Sequence, residues 1–243
     1  MIKKIIVFVL VLVLVFLGFK IVKLKKYNVP EIEFNKESIF KDVLKIEKAE
    51  SEEEYETLTY EELTIKNFFK DYKESDIQNG FNYKENEEGF VTSYYKITSS
   101  KQYVKMLNEE AFVLQAENEK KEVKEETDKD LQKYFDKYNI KNDVDLLKHI
   151  KENYYFNNTV LTTFKNIKNH YLLNLFVTVS MPEFYNIVLI EGELTGYIIE
   201  TDRNTIKDIY LLHGDKQYII SLTGNEIIND EFIKELLQTV KFN

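Results

Sequence analysis

The sequence contains no cysteine and no tryptophan, only two prolines and seven glycines, and a single arginine, Arg203. Without cysteine there are no disulfides, no thiolate zinc sites, no cysteine nucleophile and no lipid-modified N-terminal cysteine. Lack of cysteine is compatible with an exported bacterial protein. Lack of tryptophan removes the usual sugar-stacking side chain. All the other basic residues are lysine, and Asn and Ile abound while Ala is rare. That bias is the drift of an AT-rich genome, and we expect a low-GC Gram-positive bacterium. Runs of Lys, Asn or Glu therefore carry little information here.

Motifs of known chemistry are also missing. There is no His-Glu-x-x-His or His-x-His pair to hold a metal, no Gly-x-Ser-x-Gly elbow, and no glycine-rich phosphate loop. Histidine occurs at His149, His170 and His213 only. His149 is expected on a helix surface, His170 at the end of a polar patch, and His213 in a solvated turn. Any acid pair chosen from 42 acidic residues for glycoside hydrolysis would be arbitrary. Tyr94, Tyr95 and Tyr103 offer aromatic faces for a ligand groove, although strand aromatics of this kind usually belong to a core. Ser51-Glu52-Glu53-Glu54 reads as solvated surface, since it lacks the ligand spacing of a cation loop. Asn157-Asn158-Thr159 matches the glycosylation pattern by chance in an Asn-rich chain. No residue is singled out as catalytic, cofactor-binding or metal-ligating, and no cofactor is expected.

What the sequence does have is a long apolar opening. Ile5 to Phe19 is free of charge, Lys20 interrupts, and Ile21 and Val22 extend the run. Residues 5–22 span roughly 27 Å as a helix, close to the hydrocarbon thickness of a bilayer if Lys20 snorkels. Bulky residues, Val15-Phe16-Leu17-Gly18-Phe19, stand where a signal peptidase needs small ones, so the expectation is an uncleaved signal anchor over residues 1–26. The lysine count on the two flanks is nearly balanced. The short basic start favours an extracytoplasmic body, with a cytoplasmic body as the alternative.

The remainder is acidic. Lys3, Lys4, Lys20, Lys23, Lys25 and Lys26 precede position 31 and no acid does, which leaves 27 of the 33 basic residues against 42 acidic ones, about −15. Such a surface repels phosphate backbones, so nucleic acid is not an expected partner.

Residues 27–54 read as a stalk, with Pro30 barring a continuous helix and a short helix proposed over Ser38 to Lys48 from Ile39, Val43 and Ile46. Residues 55–243 read as an α+β domain, an antiparallel sheet packed with helices, with a lobe boundary near the charged stretch 117–129. Strands are expected at Tyr55 to Tyr60, Gly89 to Ile97 and Ala111 to Ala116, with a turn at Asn79-Gly80. Leu131, Tyr134, Phe135 and Tyr138 mark one helix. Asn142 or Asp143 caps a second, carrying Val144, Leu147, Ile150 and Tyr154, and Phe164, Ile167, Tyr171 and Leu175 mark a third that ends before Pro182. Four of the seven glycines fall between Gly192 and Gly224 and separate strands at Tyr185 to Ile190, Leu194 to Glu200, Ile206 to Leu212 and Gln217 to Leu222. His213-Gly214-Asp215-Lys216 is a hairpin turn. A closing helix is capped by Asn229 and buries Phe232, Leu236 and Val240.

Three pieces of this last region, Gly196-Tyr197, Asp215-Lys216-Gln217-Tyr218-Ile219-Ile220 and Thr239-Val240-Lys241-Phe242, resemble the C-terminal half of PsbP/Mog1-like domains. The resemblance covers about a quarter of the chain. It implies successive antiparallel strands with a closing helix, in an extracytoplasmic accessory or small binding domain, and it brings no catalytic residues. The expected function is a membrane-tethered extracytoplasmic binding or accessory module, held to the membrane by residues 5–22 and recognising a protein or envelope ligand. Two alternatives stand beside it: an envelope-acting enzyme built on an acid/His site, and a cytoplasmic regulatory domain recruited to the membrane.

Overall fold

The structure is a computed structural model that describes residues 15, 18, 40–47, 54–74, 82–89, 91–102, 104, 132–153, 185–201, 206–224 and 229–243. It is a mixed α+β fold with a large sheet and few helices. The chain divides into two compact units, one comprising Met1–Phe34, Met106–Ile140 and Lys148–Met181, the other Asn35–Lys105, Lys141–Leu147 and Pro182–Asn243. No helix among the described residues is long and apolar enough to cross a membrane. Of the apolar run 5–22, only Val15 and Gly18 are among them.

In the second unit the strands are β1 (Leu44–Ile46), β2 (Thr57–Tyr60), β3 (Leu63–Lys66), β4 (Lys73–Glu74), β5 (Asn82–Glu85), β6 (Val91–Lys101), β7 (Tyr185–Gly192), β8 (Gly196–Thr201), β9 (Ile206–His213), β10 (Lys216–Gly224) and β11 (Lys241–Phe242). Eight of them form one sheet in the order β1-β7-β8-β9-β10-β6-β5-β4, and β11-β3-β2 form a smaller one. β7 to β10 are the meander read from the glycine spacing. The two-residue loop Gly214-Asp215 joins β9 to β10, and Gly214 adopts φ 58, a left-handed value that a side chain disfavours. The long partner of β10 is β6, which the sequence marks by its β-branched and aromatic run.

Because side chains alternate along a strand, Ile198, Ile209, Leu211, Tyr218, Ile220 and Leu222 share one face, and all are buried. That face and the smaller sheet enclose the core with a helix at Asp230–Gln238, which supplies Ile233, Leu236 and Leu237. Phe69 stacks on Tyr95 within it, centroids 3.9 Å apart. The helix is capped as its sequence predicts: the Phe232 amide donates to Asn229 Oδ1 at 2.8 Å, and Asp230 and Glu231 occupy the first turn. The buried side differs from the expected one. Phe232 and Val240 are only partly buried, whereas Ile233 and Leu237 are fully buried. Helix ends at Gln238 and Thr239 caps it, so Val240 already belongs to the extended lead into β11.

Two further expectations are corrected at the N-terminal side. Residues 44–46, placed in a helix over Ser38 to Lys48, form β1. β1 pairs in parallel with β7, Leu44 opposite Ile190 and Ile46 opposite Gly192, so the sheet is not purely antiparallel. Ile39, Val43 and Ile46 fit a helical stripe, but β-branched residues suit a strand beside an open apolar edge, and tertiary pairing decides. The stalk assigned to 27–54 is accordingly too long. Phe40 and Ile46 are buried, and Phe40 bridges Ile187, so the folded body takes in residues 40–46.

In the first unit, residues 132–138 are helical and bury Tyr134 and Phe135. A further helix covers Asp143–Asn153. Asn142 is its cap, accepting from the Asp145 amide at 3.0 Å, and Val144, Leu147 and Ile150 are buried as read. We call these helices α1 (132–138), α2 (Asp143–Asn153) and α3 (Asp230–Gln238). The expected strand Ala111 to Ala116, the charged boundary 117–129, the helix from Phe164 to Leu175 and the Asn79-Gly80 turn lie outside the described residues.

Candidate functional site

At one end of the larger sheet, the last residue of β1, the β7–β8 turn, the end of β9 and the chain leaving α3 surround a cavity of about 400 Å³. Ile46, Leu194, Leu237, Val240 and Phe242 give it apolar walls, and Glu193, His213, Gln238, Lys241 and Asn243 add polar groups. Its geometry follows from local backbone rules. Gly192 sits at φ 111, and any Cβ there would run into the Ile46 carbonyl oxygen. That close approach lets the Glu193 amide donate to Ile46 O at 3.1 Å and holds the turn against β1.

His213 closes another side. Its ring stacks on Phe242 with centroids 4.3 Å apart and planes 3° from parallel. Its Nε2 lies 4.0 Å from Glu62 Oε2. Glu62 belongs to the two-residue loop between β2 and β3, whose first member Glu61 adopts φ 52, an unusual conformation for a residue with a Cβ. Lys216 Nζ reaches both carboxylates of this loop, Glu61 at 3.3 Å and Glu62 at 3.4 Å. The hydrogen bond to Glu61 and then that to Glu62 raise the Lys216 pKa, against the opposing effect of desolvation. The Tyr218 hydroxyl donates to Glu62 at 3.4 Å, and burial raises its pKa. The two hairpin loops therefore meet through charge beside the cavity.

The three histidines are not brought together. His213 is half-exposed and lines the cavity instead of standing free in a turn. His149 is not a surface residue: it is partly buried, with Nε2 2.6 Å from the Tyr134 hydroxyl and its ring 4.5 Å from that of Tyr138. Burial lowers the His149 pKa and raises that of Tyr134 far above its ordinary value. His170 lies outside the described residues, as do Tyr103 and Asn157 to Thr159. Tyr94 and Tyr95 point to opposite faces of β6, and Tyr95 is a core residue stacked on Phe69, so they do not line a common groove. Glu54 is exposed. Among the described residues, no three His, Cys, Asp or Glu side chains gather as a metal-binding set.

Two other polar clusters have buried members, Lys207 and Glu200 in one and Asp143 and Tyr197 in the other. Lys207 lies between Glu200 at 2.8 Å and Asp230 at 2.7 Å, joining β8, β9 and the first turn of α3. On the other face of the sheet, the Tyr197 hydroxyl donates to Asp143 Oδ2 at 3.0 Å, while its ring stacks on Tyr210 at 4.4 Å. Burial pushes the Tyr197 hydroxyl far above the ordinary tyrosine range, and Asp143 pushes it further. Neither cluster opens onto the cavity lining. Glu193, Leu237, Gln238 and Asn243 are the cavity residues that sequence reasoning did not single out, and it also missed Glu62 beside them. The pattern Thr57 to Lys66 carries a hairpin signal, alternating residues on both sides of Glu61-Glu62, but a Glu-Glu loop has none of the usual turn residues.

No family model matches the sequence, and no curated protein matches it. A crystal structure of a protein from Bacteroides thetaiotaomicron VPI-5482 is similar over 78% of this chain and 48% of that one, with 9% identity and a TM-score of 0.30. The chain thus spans about half the length of that protein, and a likeness at this level carries no argument about fold or function.

Proposed function

We propose that this chain is a membrane-tethered extracytoplasmic binding or accessory module, with residues 5–22 as the tether and the cavity beside His213 as its ligand site. The observation that carries the reading is the cavity itself. Its size falls in the range of ligand sites, and polar side chains from Glu193, His213, Gln238, Lys241 and Asn243 converge on it beside apolar ones. The length and apolar character of residues 5–22 support the location, and the resemblance of the last region to PsbP/Mog1-like domains supports an accessory or binding role. Cell fractionation tests it. The full chain should stay with membranes through an alkaline carbonate wash, and the body should be digested by protease added to intact spheroplasts. A body recovered from culture fluid without its first two dozen residues, or protected until lysis, overturns the tether or the export.

One observation favours a second reading. His213, on the cavity wall, has Nε2 4.0 Å from Glu62 Oε2 just outside the lining, an acid and a base side by side of the kind an envelope-acting enzyme would need. Turnover of an envelope substrate lost in both His213→Gln and Glu62→Gln would select this alternative.

A further inference from the structure

We infer that residues 40–46 form a strap that lifts off the rim of the larger sheet ahead of global unfolding and, in lifting, opens the cavity at Ile46. The inference rests on reading the cavity as the ligand site and adds how that site is uncovered. The strap consists of the Phe40 bridge to Ile187 followed by β1, which is three residues long and stands at one end of the strand order. It pairs in parallel with β7, whereas every other ladder among the described strands is antiparallel. Parallel pairing is somewhat weaker per residue, and a strand at the rim is held from one side only.

The attachment is confined to few points. Phe40 and Ile46 are buried and anchor the two ends, while Lys41, Asp42, Lys45 and Glu47 are exposed. Among the described residues, no side chain of 40–47 makes a hydrogen bond or an ion pair. Backbone bonds do the rest: the Lys41 amide donates to Ile187 O at 2.9 Å, and the Glu193 amide donates to Ile46 O at 3.1 Å. A segment held by so few buried contacts opens at a lower free energy than the core strands. What it covers decides the consequence. Ile46 lines the cavity with Leu194 and Leu237, and all three belong to one core cluster. With β1 seated, Leu194 and Leu237 are themselves buried, so the apolar part of the site is closed to solvent. Lifting Ile46 away uncovers both.

The chain has no native cysteine, so single cysteines report access by thiol labelling of the full chain, purified in mild detergent without ligand. Leu194→Cys should label at least about tenfold faster than Ile220→Cys, buried on β10 away from the lining, because only the second needs global unfolding. Adding Phe40→Ala, which removes the anchor that lies outside the lining, should speed labelling at position 194 by a further factor of about ten. Equal labelling at the two positions means that the strap leaves only with the whole fold. Labelling at 194 that ignores Phe40→Ala means that the cavity opens by another route. Either result overturns the inference. If Phe40→Ala does not fold, amide exchange carries the test. The Lys41 and Glu193 amides should be at least about tenfold less protected than those of β9 and β10, and a disulfide joining Lys45→Cys to Glu191→Cys, which stand opposite each other, should close that gap. An absent gap, or one that the disulfide leaves open, overturns the strap. None of these readouts involves a ligand: if they hold and no envelope component binds, the strap stands and the ligand site falls.

Discussion

Single residues show where burial, charge and backbone strain meet. Lys207 is 3% exposed and serves Glu200 and Asp230 at once. Desolvation pulls its pKa down, but hydrogen bonds from Asp230 and Glu200 outweigh that and raise it above 10.5. A group with a raised native pKa stabilises fully below its unfolded value, and that stabilisation is lost as pH climbs through the native one. Urea midpoints should therefore fall as the pH rises above 10.5 in the wild type and less so in Lys207→Met. At pH 7 the same substitution should cost about 3 kcal/mol, because it leaves Glu200 buried without its cation; the exposed Asp230 adds little. His149 runs the other way. Its pKa is lowered by burial, so folding favours the neutral ring, and stability should drop as pH falls from 6.5 toward the native value. His149→Gln should flatten that slope in denaturation measured between pH 7 and 5. Glu61 carries a different cost. Its φ of 52 suits glycine, so Glu61→Gly should raise stability by up to about 1 kcal/mol in thermal melts, even though an exposed contact to Lys216 is lost.

Among the elements, α3 is the clearest test of packing. Ile233, Leu236 and Leu237 are within 2% of full burial, while Phe232 is at the margin. Leu236→Ala and Leu237→Ala should each cost about 2–5 kcal/mol by chemical denaturation, and Asn229→Ala about 1 kcal/mol. A smaller loss for Val240→Ala than for Leu237→Ala would place the buried stripe where the structure has it. This is also where legibility in the sequence can be judged. The cap, the acidic first turn and the four strands before α3 were readable because each rests on local chemistry: an Asn side chain, glycines at turns, alternation along a strand. The exact stripe was not readable, since the i, i+3, i+4 pattern of apolar residues fits two adjacent faces and only the partner sheet chooses between them. β1 failed for a related reason. Its helix-like spacing is real, but the free edge of β7 lies far along the chain, and no local signal announces it. The cavity was illegible throughout, because its lining comes from β1, the β7–β8 turn, β9 and β11, which topology alone brings together.

For the whole molecule, the boundary of the folded body matters most. A fragment beginning at residue 55 lacks Phe40 and Ile46, both buried, and should melt well below a fragment beginning at residue 27 when followed by circular dichroism. The acidic balance of about −15 after position 31 predicts solubility for the longer fragment once the apolar opening is removed. β1 is the first strand of the chain among the described residues, and it lies parallel to β7 at the rim of the sheet. A pull arriving from the N-terminal side runs along β1 and loads its contacts with β7 in shear. Bonds loaded that way must yield together, whereas those of a hairpin tugged at its open end peel one by one. A load of that kind would fall first on the seam between β1 and β7.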